Sequence, residues 1–200
     1  MKYPPKHYNE SSIAMSLKVM RLFPLATVIS SNTDSLPDVT LMPLLTDENS
    51  KGMELLGHID KNNPQTSSLS GAEVKVLFKG PDTYISPLNY ISENQLPTWN
   101  YAYVEVIGKS EFISDEECRK LLVRMVDELD TKDWKLNYND PRIDKLLPYI
   151  QGFKIKVSSL KNRFKLSQDK SIEDQKAVNN VMMEDSRKES FVSDLKKIFS

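Results

Sequence analysis

The stretch from His58 to Tyr101 concentrates the residue types that hold a flat ligand with a polar rim. It contains His58, Asn63-Pro64-Gln65, Phe78-Lys79-Gly80-Pro81, Tyr84-Ile85-Ser86-Pro87, Tyr90 and Pro97-Thr98-Trp99-Asn100-Tyr101. Aromatic rings stack on the face of such a ligand, amides and hydroxyls bond its edge, and prolines hold the loops still. The same residue types build ordinary turns, so composition alone leaves both readings open. A second feature is Gln151 to Gln168, which carries Lys154, Lys156, Lys161, Arg163 and Lys165 and no acid. It reads either as a solvated strand face or as a grip for phosphate or for an anionic partner surface.

Other chemistries find little support. Cys118 lies on the apolar stripe of an expected helix and reads as a buried structural thiol. One cysteine excludes an internal disulfide framework and a Cys-rich zinc site. His7 and His58 are the two histidines, too few for an ordinary multi-histidine metal centre. No local Ser/His/Asp or Cys/His signature is present. There is no Walker A loop and no GxGxxG, and the six glycines do not cluster, so no glycine loop is expected to cradle a nucleotide phosphate. Across 200 residues, 27 basic side chains face 28 acidic ones, a net charge of −1. That is not the electrostatic footprint of a nucleic-acid binder. No apolar run approaches the roughly 18–20 residues needed to span a bilayer. The start, MKYPPKHYNESS, lacks the apolar core of a signal peptide. The expected location is the cytoplasm, away from membranes.

The elements that must position these residues follow from periodicity and turn signals. Tyr3-Pro4-Pro5 is extended. A helix is expected from about Ser12, with Ile13, Leu17 and Met20 on one face and Pro24 ending it. Leu25–Ser30, Val39–Leu44 and Gly52–His58 read as strands, with a turn at Ser31-Asn32-Thr33-Asp34. Thr66–Ser70 is a short helical turn. In Glu73–Phe78, Val74, Val76 and Phe78 face one way and Lys75 and Lys79 the other. A separate short strand is expected at Tyr84–Ser86, then a loop from Pro87 to Pro97. Trp99–Phe112 is a long strand, with Gly108 at a bulge or a close approach of backbones. Asp115–Leu129 is the best helix, opened by a Ser114/Glu117 capping box. A short helix near Ile143–Leu147 and a strand at Gly152–Val157 follow, and the chain is polar and helical from Ser171 to Ser200. About six short strands with sparse, non-alternating helices predict an α+β chain that is mainly β, a small antiparallel barrel with peripheral helices. The expected division is a barrel over residues 1–168 and a helical appendage over 169–200.

The ordered string of motifs resembles one family, the PaiB-type FMN-binding negative transcriptional regulators. The matching residues are His58 with Asn63-Pro64-Gln65, then FKGPDTYISP (Phe78 to Pro87) with Tyr90, then LPTWNY (Leu96 to Tyr101). GFKIKV (Gly152 to Val157) and KLSQ (Lys165 to Gln168) complete it, and the likeness extends back to YPPKHY at the N-terminus. The resemblance implies a split β-barrel related to flavin reductase and pyridoxamine-phosphate oxidase barrels, and a homodimer with FMN between its subunits. It also implies repression of protease production and sporulation, with DNA or a transcription-related partner. By the same likeness, the flavin would lie against His58, Asn63, Gln65, Tyr84, Ser86, Thr98, Trp99 and Asn100. Ser86, Lys165 and Ser167 are the candidates for its phosphate.

The chain departs from the family pattern in four places. Leu88-Asn89-Tyr90 stands where Ser-Trp-Tyr is usual, and Thr66-Ser67 where Trp and often Arg follow Asn-Pro-Gln. Leu41-Met42-Pro43 replaces a His-Leu-Pro strand end, and Asp169 rather than Asn follows KLSQ. Each lost stacking ring costs on the order of 1 kcal/mol, about fivefold in affinity, so FMN is expected to bind more weakly than to the full motif. Two alternatives stay open: a flavin-dependent oxidoreductase on the same barrel, and a barrel without its cofactor that acts as a binding protein.

Overall fold

The computed structural model describes residues 12–31, 36–49 and 52–183. The expectations for Tyr3-Pro4-Pro5, His7, most of the turn after Ser31 and the chain from residue 184 to Ser200 lie outside the described residues. Among these residues seven strands form one sheet: β1 (Leu25–Ser30), β2 (Asp38–Pro43), β3 (Leu45–Asn49), β4 (Gly52–Asp60), β5 (Glu73–Ile85), β6 (Thr98–Phe112) and β7 (Ile150–Lys165). Their order is β2-β1-β5-β6-β7-β4-β3, and β1–β2, β1–β5, β3–β4 and β4–β7 pair antiparallel. The helices are α1 (Ile13–Leu22), α2 (Gln65–Leu69), α3 (Asp115–Leu129), α4 (Pro141–Leu146) and α5 (Ile172–Met183). The fold class is therefore α+β and mainly β, as the sequence predicts.

Three strand expectations change. Glu73–Phe78 and Tyr84–Ser86 are one 13-residue strand, β5, which runs through Gly80-Pro81. Pro81 lacks an N–H, but the register with β1 ends at Leu77, so that missing donor lies beyond the β1 ladder. The strand expected at Val39–Leu44 is β2, which ends at Pro43, and a further strand not expected from the sequence, β3, starts at Leu45; between them Leu44 N–H bonds the Pro24 carbonyl at 2.9 Å. β7 extends beyond the alternating GFKIKV at both ends, from Ile150 to Lys165, to 16 residues in all. The α1 face also differs. Ser12 caps the helix, its hydroxyl accepting from Met15 N, and Leu17, Val19 and Met20 are buried, but Ile13 is exposed.

Contacts group the described chain into two compact units. The larger holds Ser12–Lys79 and Tyr103–Lys161; the smaller holds Gly80–Ala102 and the chain from Asn162. In the larger unit, the alternation in β5 buries Val74, Val76 and Phe78, and that in β6 buries Val104 and Val106. α3 has the expected Ser114/Glu117 capping box and packs Cys118 and Leu122 against Ile143, Leu147 and Ile150. Gly108 is a close approach of backbones: a Cβ there would sit 2.4 Å from the Lys156 carbonyl oxygen. In the smaller unit, Val178 of α5 is fully buried and packs with Ile85 and Tyr90.

Candidate functional site

Within the smaller unit, the segment that follows β7 is built around Ser167. Its backbone takes the left-handed conformation, φ +63°, which side chains other than glycine adopt only where surroundings hold them. The turn closes with Lys170 N donating to the Ser167 carbonyl at 3.0 Å, and Leu166 N donates to Gln168 Oε1 at 2.6 Å. The conformation buries Ser167 and directs its hydroxyl at two motif residues. Asn100 Nδ2 donates to Ser167 Oγ at 3.0 Å, and Tyr90 Oη lies 3.3 Å from the same oxygen. Lys165, two residues earlier, donates to Thr98 Oγ1. KLSQ, PTWN and Tyr90 thus meet through side-chain hydrogen bonds.

The loop that carries Tyr90 is fixed from both ends. Ser86 Oγ accepts from Leu88 N at 3.3 Å and Asn89 Oδ1 accepts from Ser86 N at 2.8 Å, which caps a short 3₁₀ turn over Pro87–Asn89. This turn stands inside the stretch expected to be irregular, and Asn89 serves it where the family carries a ring. At the other end, buried Asp174 of α5 accepts from Ile91 N at 2.7 Å and Ser92 N at 3.0 Å. Hydrogen bonds led by that from Ser92 hold its carboxyl below the usual carboxylate range.

These contacts enclose a cavity of 310 Å³ lined by Tyr90, Thr98, Lys165, Ser167, Asp169, Lys170 and loop residues 94–97. Its donors are ammonium groups and hydroxyls, the set that suits a phosphate oxygen. Lys170 Nζ lies 5.9 Å from the Tyr90 ring centre and 3.6 Å from Asp169 Oδ2. Tyr84 and Trp99 also belong to this unit. Their rings meet edge to face at 6.2 Å, both are nearly half exposed, and Trp99 Nε1 donates to Asp82 Oδ1 at 2.9 Å.

The larger unit holds the remaining expected residues in two places. Asn63 and Gln65 sit at the start of α2. Asn63 Oδ1 accepts from Gln65 N at 2.9 Å and its Nδ2 donates to Thr40 Oγ1 at 3.1 Å. The fully buried Gln65 amide donates to the Val28 and Asp38 carbonyls, each at 3.1 Å, and to Ser30 Oγ at 3.0 Å. These bonds tie α2 to β1 and β2, while Gln65 Oε1 is buried without a partner. His58 of β4 lines a largely apolar 580 Å³ cavity with residues of α3, α4 and the loop between them, and no other expected site residue lines it. His58 Nδ1 is buried with no hydrogen-bond partner among the described residues, and burial pushes the imidazole pKa down. Cys118 is buried, and its thiol is pushed up to about 11, first by burial and then by Asp115, so it is an inert thiol. Among the described residues no cluster of His, Cys, Asp or Glu is arranged to hold a metal ion.

Sequence reasoning named Tyr90 and Leu96-Pro97 in the ligand-like motifs without counting them as flavin contacts, and did not place Asn94, Gln95, Asp169 or Lys170 in a site. Tyr90 and Asp169 were visible beside the motifs they adjoin. Lys170 gave no signal, because it reaches the cavity only through the turn that Ser167 makes.

Comparison with known proteins identifies the family and the fold. Residues 2–159 match the family model described as "Putative FMN-binding domain". The Protease synthase and sporulation protein PAI 2 of Bacillus subtilis is 30% identical, over 84% of this chain and 83% of that protein. An uncharacterised protein of Emericella nidulans is 29% identical, over 73% and 72%. Among solved structures, the FAD and heme binding protein of Mycobacterium smegmatis superposes with a TM-score of 0.63 at 16% identity, covering 85% of this chain and 79% of that one. The flavocytochrome Anf3 of Azotobacter vinelandii gives 0.62 at 16% identity, covering 85% and 75%. The fold is the split β-barrel of flavin-binding proteins. The chain belongs to the FMN-binding domain family, and the Bacillus protein of sporulation is its relative.

Proposed function

We propose that this protein is an FMN-binding transcriptional regulator, of the type that represses protease production and sporulation, acting as a cytoplasmic homodimer. The observation that carries the flavin half is the cavity of the smaller unit. There, segments identified from sequence as ligand-binding motifs bring Thr98, Lys165, Ser167 and Tyr90 around one polar space. Its donor set fits a flavin's phosphate, and the exposed edges of Tyr84 and Trp99 fit its ring. Bound FMN would supply an electron-accepting isoalloxazine. Lys165 and Ser167 would hold the phosphate end, Asn100 would keep the Ser167 hydroxyl in place, and Trp99 and Tyr84 would border the ring. Ser86 of this unit, and separately His58, Asn63 and Gln65 of the larger one, are named by the family likeness alone. The regulatory half rests on the likeness to the sporulation protein.

The visible spectrum of the protein as purified, and after FMN addition, tests the first half. Bound flavin bands, lost in Trp99→Ala or Asn100→Ala, support it; no binding up to millimolar FMN refutes it and favours the cofactor-less barrel. A mobility shift on the protein's own promoter tests the second half, and NADH-dependent flavin reduction without a shift would favour the oxidoreductase reading instead.

A further inference from the structure

We infer that the cavity of the smaller unit selects a phosphate monoester, and that Asp169 sets the strength of that selection by holding Lys170. This rests on the flavin reading above and deepens it. The cavity lining includes two ammonium groups, Lys165 and Lys170, and the hydroxyl-bearing residues Thr98, Ser167 and Tyr90. A dianionic phosphate takes several charge-assisted hydrogen bonds from such a set, whereas an uncharged hydroxyl takes one or two neutral ones. The volume, 310 Å³, accommodates the phosphate end of a flavin nucleotide.

The two lysines are not equivalent. Lys165 is anchored on Thr98 Oγ1, a neutral partner, and no carboxylate pairs with it among the described residues. Lys170 lies 3.6 Å from the Asp169 carboxylate, and both side chains of this pair are about one-third exposed. Asp169 therefore lines an anion site as an anion. It competes with a phosphate for Lys170 and repels the phosphate directly, so the site carries one net positive charge where two lysines alone would give two. An acid in this position weakens binding of any phosphorylated ligand and leaves an unphosphorylated one little affected. The chain is thus built for a moderate, exchangeable hold on FMN.

The test is a pair of fluorescence titrations, FMN and riboflavin, at fixed ionic strength on the full chain. The wild type should bind FMN about tenfold or more tightly than riboflavin. Asp169→Asn should raise the FMN-to-riboflavin affinity ratio by about fivefold, and Lys170→Gln should lower it toward one. Millimolar inorganic phosphate should displace FMN and not riboflavin. Thermal melts of both variants establish that each is folded. Equal binding of FMN and riboflavin, or an Asp169→Asn change that leaves the ratio where it was, overturns this inference while leaving the flavin reading intact. Failure of both flavins to bind overturns the flavin reading and this inference with it.

Discussion

His58 shows how one residue type can carry two meanings. Its ring lines an apolar cavity of the larger unit, with Nδ1 buried and unpartnered. Burial disfavours the imidazolium, so the folded pKa lies below the unfolded value. Below about pH 6.5 the unfolded chain then binds more protons at this site than the folded one. Stability from this group is full above the unfolded pKa and declines as pH falls through the window between the two values. The wild type should lose melting temperature between pH 7 and pH 5 more steeply than His58→Phe, and parallel pH profiles would remove His58 from this role. Gln65 teaches the complementary point. An amide inside a ligand-like motif spends its donors on Val28, Ser30 and Asp38, and composition cannot distinguish that use from ligand binding.

At the scale of elements, α3 and β6 offer direct tests. Ser114 Oγ accepts from Glu117 N at 3.3 Å, and Glu117 returns the bond to Ser114 N at 2.9 Å. Ser114→Ala should destabilise the chain by about 1 kcal/mol in urea unfolding, and an unchanged midpoint would deny the cap any weight. Gly108→Ala places a methyl against the Lys156 carbonyl and Ile155 Cγ2, which should cost roughly 1–3 kcal/mol. Val178→Ala in α5 should cost about 2 kcal/mol from two lost methyl groups at a fully buried position. A change of a few tenths would mean that α5 rests loosely on Tyr90 and Ile85. Most elements were legible because their burial is periodic: alternation gave β5 and β6 their cores, and the capping box gave α3 its start. What failed was partner choice. Leu44 and Leu45 are both buried, a break in alternation that marks the chain leaving β1 for β4, yet periodicity does not report which neighbour a strand has. Gly80-Pro81 likewise read as punctuation because the end of the β1 ladder at Leu77 is a tertiary fact. The KLSQ motif was visible, but its meeting with Asn100 and Tyr90 depends on one left-handed residue.

For the whole molecule, the β1–β2 hairpin bears on assembly. The register sets Leu25 against Pro43, Thr27 against Leu41 and Ile29 against Val39, so these side chains share a face. Leu25, Val39 and Leu41 are each more than half exposed, and β2 is an edge strand with no further strand beside it among the described residues. Native chains rarely leave such an edge bare. The proposed homodimer would cover it, and Leu41→Glu should shift sedimentation toward monomer at micromolar concentration while preserving the circular dichroism spectrum. A wild type that sediments as a monomer would refute the dimer outright.

The smaller unit is assembled from chain segments that leave the ribosome at different times. Gly80–Ala102 is translated before Tyr103–Lys161, and only then do Asn162 and the residues after it appear. Thr98 and Asn100 must therefore wait, uncommitted, for Lys165 and Ser167, each of which emerges 67 residues after its partner. A message broken just before codon 165 yields a chain with most of its β-sheet sequence but without Lys165, Ser167 and Lys170 of the proposed anion grip. Competence for the proposed ligand would in effect report that translation has passed residue 170.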